Sequence, residues 1–74
     1  MEFDFSKLNG RIVERFGTRA NFAAAAGYTK SQLSARLNNL VHFPADEIYG
    51  LCTPELLDLD MSDIPVYFFT PKVR

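Results

Sequence analysis

The chain has 74 residues, 47% of them hydrophobic, and a formal net charge of −1. This size allows one small domain over residues 1–74, and the apolar content excludes wholesale disorder. A single cysteine and a single histidine exclude an internal disulfide and a zinc site built from Cys and His alone. The longest apolar run covers residues 22–26 and is far too short to span a membrane.

The charges are distributed unevenly along the chain. Residues 1–41 hold six basic and three acidic side chains, whereas residues 42–74 hold two basic and six acidic ones. The N-terminal half could therefore face phosphates while the acidic half faces away. The alternative is that both halves simply carry solvated helix faces.

Capping residues and apolar spacing predict two helices in the first third of the chain. The first has an apolar face with residues three or four apart, at Phe5, Leu8, Ile12 and Phe16. Gly17 can end this helix in a left-handed conformation. Thr18 then caps a second, alanine-rich helix over residues 19–26, which ends at Gly27.

A third helix is predicted from Lys30 to about Asn38. Thr29 and Gln32 have the spacing of a capping box, in which the hydroxyl accepts from the Gln32 amide and the Gln32 side chain bonds back. Leu33 would lie on the buried face of this helix, together with the leucine four residues later.

The acidic half predicts two further helices and an extended end. Pro44 suits the first turn of a fourth helix, and a cap at Thr53 predicts a short fifth helix over residues 53–59. Residues 66–70 are β-branched and aromatic and lie between two prolines. This composition predicts a strand or extended arm within residues 64–74.

Residues 18–38 have the spacing of a helix-turn-helix. Ala23 is small enough for two helices to cross closely, and Gly27 supplies the turn four residues later. The second helix of such a motif enters the DNA major groove by its N-terminal end. The predicted fold is therefore all-α: a compact bundle of about five short helices that contains a helix-turn-helix, with an extended C-terminal arm.

The same residues carry a family resemblance. They are Phe22, Ala23, Gly27, Ser31, Leu33, Ser34, Leu37 and Asn38. This pattern resembles the phage Cro and repressor (XRE-type) family over roughly residues 4–60. The resemblance implies a homodimer that binds double-stranded operator DNA and regulates transcription in the bacterial cytoplasm, without a cofactor. Arg36 and Asn39 depart from the pattern, since many members have an apolar residue and a glycine there.

The resemblance also implies roles for individual residues. The base-reading side chains would be Lys30, Ser31, Gln32, Ser34 and Ala35. The phosphate contacts would come from Thr18, Arg19, Thr29, Arg36, Asn38, Asn39 and His42. As alternatives, Thr29 and Gln32 could serve only as a cap, Lys30 and Arg36 could be solvated surface, and His42 could be a connector residue.

Near the end of the chain, four consecutive residues have large apolar side chains. In an extended segment these side chains lie on both faces, so both faces need to be buried against other residues. The four residues are Val66, Tyr67, Phe68 and Phe69. A second subunit could supply that cover, and two recognition helices would then lie about 34 Å apart, one turn of DNA. Alternatively, the tail folds back over the helices of its own chain.

No enzymatic constellation is apparent, because the acidic residues are scattered and the single histidine has no nucleophile at a useful spacing. The main alternative to DNA binding is a regulator that binds another DNA-binding protein. Such an antirepressor-like protein would use its acidic half or its aromatic tail, and the low net charge favours it.

Overall fold

The computed structural model describes residues 2–73. Within them the chain forms five α-helices and a single 3₁₀ turn, Met61–Asp63, that leads into the last helix. The helices are α1 (Ser6–Phe16), α2 (Arg19–Ala26), α3 (Lys30–Leu37), α4 (Ala45–Leu51) and α5 (Ile64–Phe68). The predicted all-α bundle of short helices is confirmed.

A single hydrophobic core lies between these helices. Every helix contributes to it, and α1 packs against both α2 and α5. The buried side chains are Phe5, Leu8, Ile12, Phe22, Ala23, Leu33, Leu37, Ile48, Leu51, Leu57 and Phe68. The residues predicted for the buried faces of α1 and α3 lie in this core, except that Phe16 is only partly buried at its edge.

The predicted helix over residues 53–59 is wrong. The chain makes a turn there and folds back on α4: the Leu57 amide donates to the Leu51 carbonyl at 2.9 Å, and the Leu59 amide donates to the Cys52 carbonyl at 3.0 Å. Asp58 adopts a left-handed conformation with φ of 52°, which no α-helix can include. The turn places Leu57 in the core, where it is fully buried.

The extended end of the chain starts later than predicted. Residues 64–68 form α5 instead of a strand, because Pro65 lies in the first helical turn, where its missing N–H costs no hydrogen bond. The helical turn also directs Phe68 into the core, where it is 1% exposed. Beyond α5, the chain pairs with the N-terminal segment through an antiparallel bridge between Phe3 and Pro71.

Two glycines should respond to alanine in opposite directions. Gly27 ends α2 with φ of 81°, so Gly27→Ala should lower the free energy of unfolding by about 1–2 kcal/mol. Gly10 lies inside α1 with open space where a Cβ would point. Gly10→Ala should therefore raise the free energy of unfolding by about 0.5–1 kcal/mol. Urea denaturation measures both, and a loss of stability in Gly10→Ala would contradict this account of α1.

Candidate functional site

Helices α2 and α3, joined by the turn at Gly27, occupy the residues for which a helix-turn-helix is predicted. The Thr18 hydroxyl accepts from the Asn21 amide at 3.1 Å and caps α2. After Gly27, the Tyr28 amide donates to the Ala23 carbonyl at 2.8 Å, which closes the turn. Ala23 is buried, as the close crossing of the two helices requires.

The start of α3 is exposed. The predicted capping box is present: the Gln32 amide donates to the Thr29 hydroxyl at 3.1 Å, and the Thr29 amide donates to the Gln32 side chain at 2.9 Å. The other residues assigned to base reading lie on the same first two turns, with Lys30, Ser31 and Ser34 exposed. Ala35 is half-buried.

Five of the seven residues assigned to phosphate binding form hydrogen bonds within the chain: the caps Thr18 and Thr29, and Arg36, Asn38 and Asn39. Asn38 donates to the carbonyl and the hydroxyl of Ser34, at 2.9 and 3.1 Å. Asn39, with φ of 62°, exchanges two hydrogen bonds with the backbone of Phe3, at 2.9 and 3.0 Å. Asn39 therefore holds the N-terminal segment against the end of α3. Arg19 and His42 are exposed.

Arg36 belongs to a network that joins α3 to α4. Its Nε donates to Glu47 Oε1 at 3.0 Å, and its guanidinium lies 5.1 Å from the centroid of the Tyr28 ring. The Tyr28 hydroxyl donates to the same carboxylate oxygen at 2.6 Å. The Arg36 side chain is only 14% exposed. The network therefore joins the end of α3 to α4 through a mostly buried, charge-compensated side chain.

The network shifts the pKa of two of its members. The hydrogen bond from Tyr28 is the main reason why the pKa of Glu47 lies below its ordinary value of 4.5. Partial burial opposes this shift, and the bond from Arg36 adds to it. Burial, followed by the bond to Glu47, raises the pKa of Tyr28 well above its ordinary value.

Two arginines of α1 hold an acidic loop, defined here as residues 53–60. Arg11 donates to the carbonyls of Leu57 and Asp58 at 2.8 and 3.0 Å. Arg15 donates to the carbonyls of Leu56 and Pro54 at 3.1 and 2.7 Å. Because these guanidiniums bind backbone carbonyls, the carboxylates of the loop stay free to face solvent. The exposed carboxylates are Glu55, Asp58 and Asp60.

An apolar surface, termed the aromatic patch, is formed by side chains of α4 and of residues 64–69. Its lining side chains surround a small cavity of about 140 Å³ and are Ala45, Ile48, Tyr49, Ile64 and Phe69. Tyr49 is 53% exposed and Phe69 is 46% exposed. The Phe69 ring meets the Phe3 ring edge-on, with 5.5 Å between centroids. The 3₁₀ turn Met61–Asp63, whose Met61 is 68% exposed, links the patch to the loop.

The four apolar residues 66–69 differ in their burial. Phe68 lies in the core of its own chain and Tyr67 is half-buried against that core, whereas Val66 and Phe69 remain exposed. Of the four residues expected to be covered by a second subunit or by their own chain, Phe68 is covered by its own chain, because α5 turns this side chain inward.

Sequence reasoning missed Arg11 and Arg15 as the residues that shape the acidic loop, and it missed Tyr49. The arginines reach carbonyls 39 to 47 residues further along the chain, so no local motif marks them. Tyr49 lies one residue after Ile48 on α4, and only the placement of α5 shows that it borders an apolar surface.

Within residues 2–73, no three His, Cys, Asp or Glu side chains lie close enough to hold a metal ion. In the same part of the chain, no helix has the length and apolar character needed to cross a membrane.

Comparison with known proteins identifies the family. The profile of the family described as "Protein of unknown function (DUF739)" matches residues 1–71, and the chain belongs to this family. It is also similar to the solution structure of the modulator of repression (MOR) of the temperate bacteriophage TP901-1 from Lactococcus lactis. The two share 42% sequence identity with a TM-score of 0.81, over 100% of this chain and 97% of that one. No curated protein matches the chain.

These comparisons correct the main functional prediction. An operator-binding Cro-like protein was expected, but the similar structure is of a protein named for modulating repression. That likeness favours the alternative, a regulator that binds another protein. The DNA-contact roles assigned to α2 and α3 depended on the overturned function and are not carried further. The resemblance to the Cro and repressor family stays a prediction.

The contribution of the Tyr28–Glu47 hydrogen bond to the free energy of unfolding should depend on pH. A carboxyl whose pKa is lower in the folded than in the unfolded state stabilises the fold at pH values above its unfolded-state pKa. This contribution is lost as the pH falls through the folded-state pKa. Tyr28→Phe removes the hydroxyl donor and should lower the free energy of unfolding by about 1 kcal/mol at pH 7. The difference from the wild type should shrink as pH falls below 4.5.

Urea denaturation over a pH series measures this difference. Tyr49→Phe is the matched control, because its ring is exposed and we expect loss of its hydroxyl to leave stability almost unchanged. An equal loss in both variants, or a difference that does not change with pH, would contradict the assigned role of Tyr28.

Proposed function

We propose that this chain is a protein-binding regulator that modulates a phage repressor. The observation that carries the proposal is its likeness to the TP901-1 modulator of repression over the full length of both chains, at 42% identity. A likeness of this extent covers the helix-turn-helix, the acidic loop and the aromatic patch together.

The charges near α3 support a protein partner. DNA-binding proteins commonly neutralise about 6–10 phosphates. Among the described residues of α2 and α3, the cations that form no ion pair are Arg19 and Lys30, whereas Arg36 pairs with Glu47. Two unpaired cations are few for a DNA-binding surface, and the whole chain has a net charge of −1.

The acidic loop supplies the electrostatic part of the proposed interface. A repressor that reads DNA presents a basic surface to the phosphates. The exposed carboxylates of Glu55, Asp58 and Asp60 complement such a surface and would raise the rate of association. The arginines of α1 fix the loop backbone, so the carboxylates are held in place before the partner arrives.

The aromatic patch supplies the apolar part of the proposed interface. Tyr49 and Phe69 are large, exposed and close to one another on α4 and the end of α5, and aromatic anchors of this kind dominate the energy of many protein interfaces. With its basic surface covered by the loop and patch, a repressor would no longer reach its operator. The chain would thus modulate repression without contacting DNA.

The loop charge should determine the rate of binding. Asp58→Asn removes one exposed carboxylate, and asparagine also tolerates the left-handed conformation of this residue. We expect the association rate with the repressor from the same phage genome to fall roughly two- to fivefold at low salt, and the effect to diminish at high salt. Surface plasmon resonance with immobilised repressor measures the rates.

Glu2→Gln is the control, because it also removes one exposed carboxylate, outside the acidic loop, and should leave the rate near that of the wild type. If the wild-type chain fails to bind the repressor at low salt, the proposed function is wrong. If both variants slow association equally, the loop has no special part in it.

A further inference from the structure

A second surface lies on the helix-turn-helix and shares no residue with the acidic loop or the aromatic patch. It is a groove of about 270 Å³ between α2 and α3. Ala20 is exposed and gives the groove an apolar wall, and Ala23 and Leu33, which are 3% and 2% exposed, close its floor. The complete lining is Arg19, Ala20, Ala23, Lys30, Leu33 and Ser34.

The groove is electrically positive. Arg19 and Lys30 are the first residues of α2 and α3, each eight residues long, and neither helix has an acidic residue in its first turn. Within residues 2–73, neither cation forms an ion pair. The partial positive charges of two helix N-termini therefore add to the two side-chain charges.

We propose that this groove binds an acidic protein segment that inserts one apolar side chain between two carboxylates. The carboxylates would pair with Arg19 and Lys30, and the apolar side chain would pack on Ala20, above the floor formed by Ala23 and Leu33. The volume lies just below the range of about 300–1,000 Å³ for small-molecule sites and suits one side chain. A nucleic-acid backbone matches the charge but offers no apolar side chain to the floor of the groove.

This surface is tested without the repressor, so its failure is distinct from failure of the proposed function. The probe is a synthetic Asp-Glu-Leu-Glu-Asp peptide, added to the ¹⁵N-labelled full-length chain and followed by NMR. We expect amide shifts concentrated at Arg19, Ala20, Lys30 and Ser34. A matched peptide with serine in place of leucine should bind more weakly, and a Lys-Lys-Leu-Lys-Lys peptide should not bind.

The variant Arg19→Glu with Lys30→Glu tests the charge without weakening the fold, because acidic residues in the first turn of a helix stabilise it. Its affinity for the peptide should fall at least about tenfold, since two attractive pairs become repulsive. Lys7→Glu is the matched control, since Lys7 is an exposed residue in the first turn of α1, and this variant should bind like the wild type.

Three results would overturn the proposal: no shifts at the groove, equal binding by the serine peptide, or unchanged affinity in the double variant. A mixed-sequence DNA duplex is the competing ligand. If it shifts the same amides at lower concentration than the peptide does, the groove binds nucleic acid and the proposal is wrong.

Discussion

Arg36 shares the Glu47 carboxylate with the Tyr28 hydroxyl, and this arrangement fixes α3 against α4. The guanidinium is mostly buried and its charge is compensated by its partner, so it adds little to the positive field of the helix-turn-helix. The same contact positions α4, whose Tyr49 borders the aromatic patch. A single ion pair thus lowers the positive charge near α3 and helps place the apolar surface proposed to bind a repressor.

The two arginines of α1 are also engaged in contacts within the chain. Arg11 and Arg15 donate to backbone carbonyls of the acidic loop, so much of the positive charge counted in the N-terminal half of the sequence is used for internal bonding. The carboxylates of the loop keep their exposure. Arg11 also pairs with Glu14 and Arg36 pairs with Glu47, so part of the positive charge counted in the sequence is neutralised within the chain.

Features fixed by local chemistry could be predicted from the sequence. The capping box at Thr29 and the left-handed turn at Gly27 depend on residues a few positions apart, and both are present. The end of the chain could not be predicted in this way. Residues 66–69 favour a strand by composition, but Pro65 and the burial of Phe68 make the segment helical. The spacing of residues 18–38 pointed to DNA, and it could not show the ion pair of Arg36, because Glu47 lies outside the motif.

The most direct test of the account is an NMR footprint of the repressor on this chain. Cross-saturation from the unlabelled, deuterium-free repressor to the deuterated, ¹⁵N-labelled chain identifies the amides at the interface. The account predicts saturation at Tyr49, Phe69 and the acidic loop, with the first turn of α3 unaffected. Saturation confined to α2 and α3, with none at the loop or the patch, would contradict it.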